Sequence, residues 1–244
     1  LSLPRFHVAG AAPGARITFP EHAAHHAREV LRLRAGSPVR IFDGAGAEFE
    51  ATLDSVTRQG VTARLGGPMP PRCPESPLRI TLALPPLKGD RMETVIQKAT
   101  ELGVAEIRPV ITVRTDAAGR PALHGSRQER WEKVASGAAE QCGRAVVPVV
   151  HPTVTLDALL AVPFEGRRIL FLETPGQPAL GAGGSRPSSA VALVGPAGGW
   201  EPAEAARIQA AGFEAASLGP RILRAETAAI AAVTVLQLLW GDLT

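Results

Sequence analysis

"SAVALVGPAGGWEPAEAARIQAAGFEAASLGPRILRAETAAIAAVTVLQLLW" (residues 189–240) holds the pattern that decides the fold. A short apolar run, 190–194, ends at Gly195 and Pro196. A helix-period segment follows over 201–212, then a second strand-like run over 213–219 that closes on another Gly-Pro corner. From Ala228 the chain reads as an apolar helix of Ala, Ile, Val and Leu. Strand, turn, helix, strand, turn, helix is the pattern of a parallel sheet whose crossovers are helices. Arg221, Arg224, Glu226 and Thr227 stand where the last helix enters the core, a costly place for unpaired charge.

The alternation extends toward the N-terminus. "LRITLAL" from Leu78 reads as a strand. "GDRMETVIQKATELGV" reads as a helix with a capping box at Asp90 and Glu93. Its apolar face is Met92, Val95, Ile96, Ala99 and Leu102, and Gly103 ends it. "EIRPVITV" is the next strand. "SRQERWEKVASGAAEQCGR" opens on a second capping box, Ser126 and Glu129, and buries Trp131, Val134, Ala135 and Ala138. "VVPVV", a short helix "TLDALL" and the strand "RRILFLE" complete an α/β domain expected over residues 73–244. In such sheets ligands bind beyond the carboxyl ends of the strands. That rule selects the segments 171–176, 194–200 and 217–224 as site-forming loops.

"GGPMPPRCPESP" (66–77) carries five prolines and reads as an interdomain linker. Before it, short β patterns at "RFHVA", "RITF", "VRIFDG", "EFEATLDSV" and "GVTARL" are interrupted by one helical segment, "EHAAHHAREVLRL". Residues 1–72 are therefore expected to form a small β-barrel with one helix. They carry nine Arg and six Asp/Glu, and the rest of the chain carries seventeen of each sign, so the net charge of +3 lies wholly in the barrel. Lysine occurs only at 88, 98 and 133; the cationic groups are nearly all guanidiniums, which suit phosphate. Aromatics at 4%, with no Tyr, argue against a stacking platform for single-stranded RNA. Cys73 and Cys142 have no metal-spaced partners, so neither a zinc site nor a disulfide framework is expected. No signal-peptide pattern or membrane-length apolar run is present, and a cytoplasmic protein is expected.

Each candidate residue also has an ordinary reading. The Gly-Pro-Ala-Gly-Gly turn at 195–199 lets backbone approach a ligand, yet it matches neither the P-loop nor the dinucleotide fingerprint. Glu226 suits a helix N-terminus whatever its role. Glu140, at a helix C-terminus where the dipole disfavours it, could simply pair with Arg144. Lys88 could be a surface lysine, and His25 and His26 could be packing residues.

Taken in order, "RFHV", "HHAREVLRLRAGSPVRIFDGAG", "KGDRMETVIQKATELGVAEIRPV", "AAEQCGRAVVP", "LVGPAGGW" and "SLGPRILRAETAAIAA" resemble the RsmE family of bacterial 16S rRNA (uracil-N3) methyltransferases, members of the SPOUT superfamily. The resemblance implies a trefoil-knotted S-adenosylmethionine domain behind a PUA-like, RNA-binding barrel, and a homodimer acting on the small ribosomal subunit. It implies cofactor contacts from Leu172, Glu173, Val194, Gly195, Pro196, Gly199, Ser217, Leu218, Gly219, Ile222 and Leu223. Arg224 and Arg144 would stabilise the uracil imide anion, with Glu140 or Glu226 as proton acceptor and no metal. Arg5, Arg16, Arg32, Arg34 and Lys88 are the expected RNA contacts. One position departs from the family: Ala197 stands where a Glu is usual, so that carboxylate is either dispensable or supplied by a neighbour such as Glu201. The last helix, through Ile230, Val233, Leu236 and Leu239, is expected to build the dimer interface.

Overall fold

A computed structural model describes residues 3–115, 126–173, 177–181 and 185–243. The chain forms two compact units, Leu1–Glu75 with Ser136–Val147, and Ser76–Ala135 with Pro148–Thr244.

The first unit contains β1 (Arg5–His7), β2 (Arg16–Thr18), α1 (Glu21–His25), β3 (Pro38–Phe42), β4 (Glu48–Thr57) and β5 (Gly60–Met69). The strands form one sheet in the order β1-β3-β4-β5-β2, with β1 parallel to β3 and the other pairs antiparallel. Alternate residues of these strands face inward, and Phe6, Ile41, Phe49, Leu53, Val61 and Leu65 pack on Phe19, Ala23, Ala24 and Ala27. Two sequence expectations change here. The helix expected over 21–33 stays α-helical only to His25 and continues as a π-helical turn, His26–Val30. The linker expected from residue 66 begins later, because 66–69 extend β5 and Pro68 sits opposite Phe49. Proline is tolerated there because β2 covers β5 only over Thr62–Arg64.

Arg5 is a correction. It is buried, not an exposed RNA contact. Its Nε and Nη2 donate to both oxygens of Glu48 at 3.0 and 3.1 Å. The remaining donors reach the carbonyls of Ala139, Glu140 and Arg144 at 3.0–3.1 Å. All five guanidinium N–H groups are thus used, and they tie the segment 136–147 into this unit. Phe42 packs on Ala139 and Ala145 of the same segment.

The second unit holds β6 (Arg79–Leu84), α2 (Arg91–Glu101), β7 (Val104–Ile111), the start of α3 (Ser126–Cys142), β8 (Val149–Val150), β9 (Val154–Thr155) and α4 (Leu156–Leu160). It continues through β10 (Arg167–Phe171), β11 (Ser189–Val194), α5 (Pro202–Ala210), β12 (Glu214–Ala216) and α6 (Ala225–Trp240). Every strand pair is parallel, in the order β12-β10-β11-β6-β7-β8, with β9 also on β7. The near-continuous apolar runs of β6 and β11 are what a sheet covered on both faces requires. The capping box expected at Asp90 and Glu93 does not form. Asp90 follows Gly89 (φ +59°) with φ −79° and ψ 1°, outside the extended region a capping side chain needs, and makes no side-chain cap bond. Ser126 opens α3, but its side chain lies outside the described residues.

α6 begins three residues before the expected Ala228, so Glu226 and Thr227 lie in its first turn. Val233 and Leu236, expected at a dimer interface, are fully buried in this chain's own core. They pack inward because α6 covers β6 and β11 and lies against α2. Buried Gln237 donates to the carbonyl of Leu102 at 2.7 Å and accepts from Ser76 at 2.8 Å, fixing α6 to the end of α2. No described helix is long and apolar enough to cross a membrane.

Candidate active site

Because the strands run parallel, β6, β10, β11 and β12 all deliver their following loops to one edge of the sheet. Two clefts open there. The first, of about 540 Å³, is walled by the loops after β10, β11 and β12. It takes in Leu172, Glu173, Val194, Gly195, Pro196, Gly199, Leu218, Gly219, Ile222 and Leu223, ten of the eleven residues expected to contact the cofactor. Ser217 does not line it. Its hydroxyl is bonded to both the N–H and the carbonyl of Gly219, each at 3.1 Å, and so shapes the corner. Ala197 and Arg221, noted in the sequence but not as cofactor contacts, line it too, as do Phe171, Ala225 and Ala228, which were not expected there. The last three are small or apolar groups that look like ordinary core in sequence.

The glycines act for different reasons. At Gly195 an added Cβ would stand 2.7 Å from the indole Nε1 of Trp200. At Gly199, with φ +70°, a Cβ would collide with the Glu173 carboxylate. Gly219 has open space around it, but its φ of +106° is one that side-chain-bearing residues rarely adopt. At Gly219 it is the backbone conformation, not a neighbouring protein atom, that calls for glycine. Buried Trp200 Nε1, against Gly195, has no hydrogen-bond partner among the described residues. Ile222 is 84% exposed at the mouth, an unusual position for a large apolar side chain.

The second cleft, of about 760 Å³, shares Pro196, Ala197 and Ala225 with the first. Its other walls come from the loop after β6 (Pro85, Pro86, Leu87, Lys88), from Arg91 at the start of α2, from Arg114 and Thr115 after β7, and from Glu226. Three cations thus meet one carboxylate. Arg91 lies 3.9 Å from Glu226. Arg114 donates to Glu201 at 2.8–2.9 Å and to the carbonyl of Gly198 at 2.9 Å, so it holds the turn between the clefts. Buried Glu204 accepts from Val113 N at 2.8 Å and fastens the same loop to α5. Glu201, the proposed substitute for a carboxylate at position 197, is engaged by Arg114. Arg224 is the N-cap residue of α6, exposed, between cleft residues Leu223 and Ala225, and its guanidinium has no partner among the described residues. Sequence reading missed Arg91 and Arg114. Arg91 carried a signal, a cation in a first helical turn against the dipole; Arg114 carried none.

Glu140 and Arg144 line neither of these clefts. Both belong to the first unit. Arg144 is buried and bonded to the Glu75 carboxylate at 2.6–3.2 Å. Glu140 accepts from His7 N at 2.7 Å, and burial pushes its carboxyl up to about 7 against the lowering influence of that bond and of Arg5. Of the other expected RNA contacts, Arg16 is exposed and pairs with Asp54 at 2.8 Å, and Arg32 and Arg34 are exposed.

Clefts at the carboxyl ends of parallel strands are where an α/β domain binds its ligands, and the relatives show which class of enzyme this is, an RNA methyltransferase. The family profile described as an RNA methyltransferase domain matches residues 74–237, and that described as an RNA methyltransferase PUA domain matches 19–66. The chain is 33% identical to ribosomal RNA small subunit methyltransferase E of Synechocystis, over 92% of this chain and 74% of that one. It is 31% identical to the Bacillus subtilis protein of the same name, over 95% and 94%. The crystal structure of the Neisseria gonorrhoeae protein of that name, bound to S-adenosylmethionine, is 35% identical and superposes over the full length of both chains with a TM-score of 0.88. This chain belongs to the ribosomal RNA small subunit methyltransferase E family.

Proposed function

We propose that this protein transfers the methyl group of S-adenosylmethionine to N3 of a uracil in 16S rRNA of the small ribosomal subunit. The observation that carries the reading is the shared rim at Pro196 and Ala197, where the cleft built by the loops after β10, β11 and β12 meets a cationic one. The first cleft fits the cofactor. Leu172, Leu218, Ile222 and Leu223 offer apolar walls to a planar base, and Glu173 offers a carboxylate to ribose hydroxyls. When bound, S-adenosylmethionine supplies an electrophilic methyl group.

The chain's own residues then have three tasks. Lys88, Arg91 and Arg114 in the second cleft draw in and position a phosphate-bearing nucleotide. Glu226 accepts the proton from uracil N3, with Arg91 keeping the carboxylate in place. Arg224, uncommitted at the helix mouth, stabilises the imide anion left behind. Arg144 is tied to Glu75, and the proposed chemistry therefore rests on Arg224 and Glu226. Completion of the site by a knotted homodimer, with Ile230, Leu238 and Leu239 as the apolar groups α6 leaves accessible, belongs to the same reading, as does action on the cytoplasmic ribosome.

The test is incubation with labelled S-adenosylmethionine and unmodified 30S subunits, followed by mass spectrometry of the nucleosides. N3-methyluridine is the expected product. A ribose-methylated nucleoside, or cofactor-independent RNA binding without methylation, overturns the proposal.

A further inference from the structure

The first unit has a cavity of its own, of about 720 Å³, beside the π-helical turn. Backbone irregularities mark its rim. His26, which begins the π turn, lines it, and so does Leu31, whose N–H closes the i→i+5 bond to His26. π turns recur at functional sites. The residue after Leu31, Arg32, has φ +52° and is the single non-glycine residue among those described with a left-handed backbone. Such strain persists only where the surroundings impose it, and it points to a function.

Arg5, which also lines this cavity, is fully bonded, but three other residues there have polar groups to spare. The aliphatic stem of Arg72 lies over Gly143, while its guanidinium has no partner among the described residues. The Gln141 amide is exposed and equally unpartnered. One Glu140 oxygen accepts from His7 N, and the other has no partner among the described residues. Leu3 and Leu31, each 39% exposed, add apolar surface. A cation, an amide, a carboxyl and two apolar faces in one cavity match the parts of a nucleotide: phosphate, base edge and ring. With its carboxyl held near neutrality by burial, Glu140 can offer a donor as well as an acceptor to that edge.

We propose that this cavity binds one unpaired nucleotide of the RNA substrate, its ring against Leu3 and Leu31, its base edge on Glu140 and Gln141, and its phosphate on Arg72. The inference rests on the reading that the substrate is RNA, and it assigns a recognition site in the first unit separate from the methyl-transfer clefts of the second.

The test uses the full-length protein and four fluorescent single-stranded RNA hexamers, each of one base type. Anisotropy titrations compare wild type with Arg72→Ala and Gln141→Ala, both at exposed positions. Arg72→Ala should weaken all hexamers alike and reduce the salt slope by about one. Gln141→Ala should weaken the preferred hexamer about tenfold and the others little, flattening base preference. Affinity for S-adenosylmethionine should be unchanged in both. Hexamer binding that is absent in wild type, or identical in all three proteins, overturns the proposal. If the pattern appears but 30S subunits are not methylated, the nucleotide site stands and the functional reading fails. If subunits are methylated and neither variant differs from wild type, the functional reading stands and the nucleotide site fails.

Discussion

At the residue scale, three charged groups carry contrasting expectations. Arg224 is exposed and uncommitted, so Arg224→Ala should leave melting temperature and cofactor affinity as they are while lowering turnover by about two to three orders of magnitude, the scale of a lost charge stabiliser. Near-normal turnover with reduced stability would make Arg224 a structural residue. Arg5 is the opposite case. Removing it leaves buried Glu48 with only Arg40 and the Arg72 N–H and unpairs three carbonyls, and Arg5→Ala should cost about 3 kcal/mol in denaturant unfolding. A variant that unfolds like wild type but loses RNA affinity would restore the RNA-contact reading. For Glu140, burial raises the folded-state carboxyl from 4.5 to about 7. The folded protein therefore holds a proton that the unfolded chain releases, and this contribution is fully present below about pH 4.5 and lost as pH rises through about 7. Its size is on the order of 3 kcal/mol. Glu140→Gln should abolish that slope, so the melting-temperature difference between variant and wild type should widen in the variant's favour from pH 5 to pH 7. A constant difference across that window would mean that Glu140 titrates normally.

At the element scale, α6 shows how one helix serves both core and site. Its Ala, Val and Leu residues seal the sheet, its first turn presents Glu226, and Gln237 closes the far end on Leu102 and Ser76. Gln237→Leu would leave those partners unpaired and should lower unfolding free energy by about 1–3 kcal/mol, with little effect on the distant cofactor cleft. Equal loss of cofactor affinity would show instead that the whole helix had shifted. The same element shows what a sequence can reveal. The cofactor cleft was legible because each wall is built by residues that directly follow a strand, so parallel-sheet geometry and chain order suffice. The second cleft was not legible. Lys88, Arg91, Arg114 and Glu226 come from three separated segments, and only the strand order β11-β6-β7 sets those segments side by side. Arg5 was illegible for the same reason: Glu48 is 43 residues away and its carbonyl partners 134 to 139 residues away. Local pattern sees a basic residue on an N-terminal strand and nothing of the pair that buries it.

At the scale of the whole molecule, the chain does not part into units at a single point. A proline-rich segment suggests one cut near residue 72, and a fragment from Pro77 onward then looks self-sufficient. Yet the first unit includes Ser136–Val147, whose Arg144 pairs with Glu75 and whose carbonyls are held by Arg5. Cutting before Pro77 removes those partners and leaves Ala139 and Ala145 without the Phe42 they pack against. The cofactor cleft is unaffected in composition, since every residue lining it lies between 171 and 228 of the second unit. The fragment 77–244 should therefore still bind S-adenosylmethionine, because the strands and loops that build the cleft remain. Hydrogen exchange in 136–147 should be fast in the fragment and slow in the full chain, since the groups that hold this segment are gone. The newly exposed apolar surface should also make the fragment prone to self-association. Slow exchange across 136–147 in the isolated fragment would show that the segment belongs to the second unit after all, and that a single cut does separate the two.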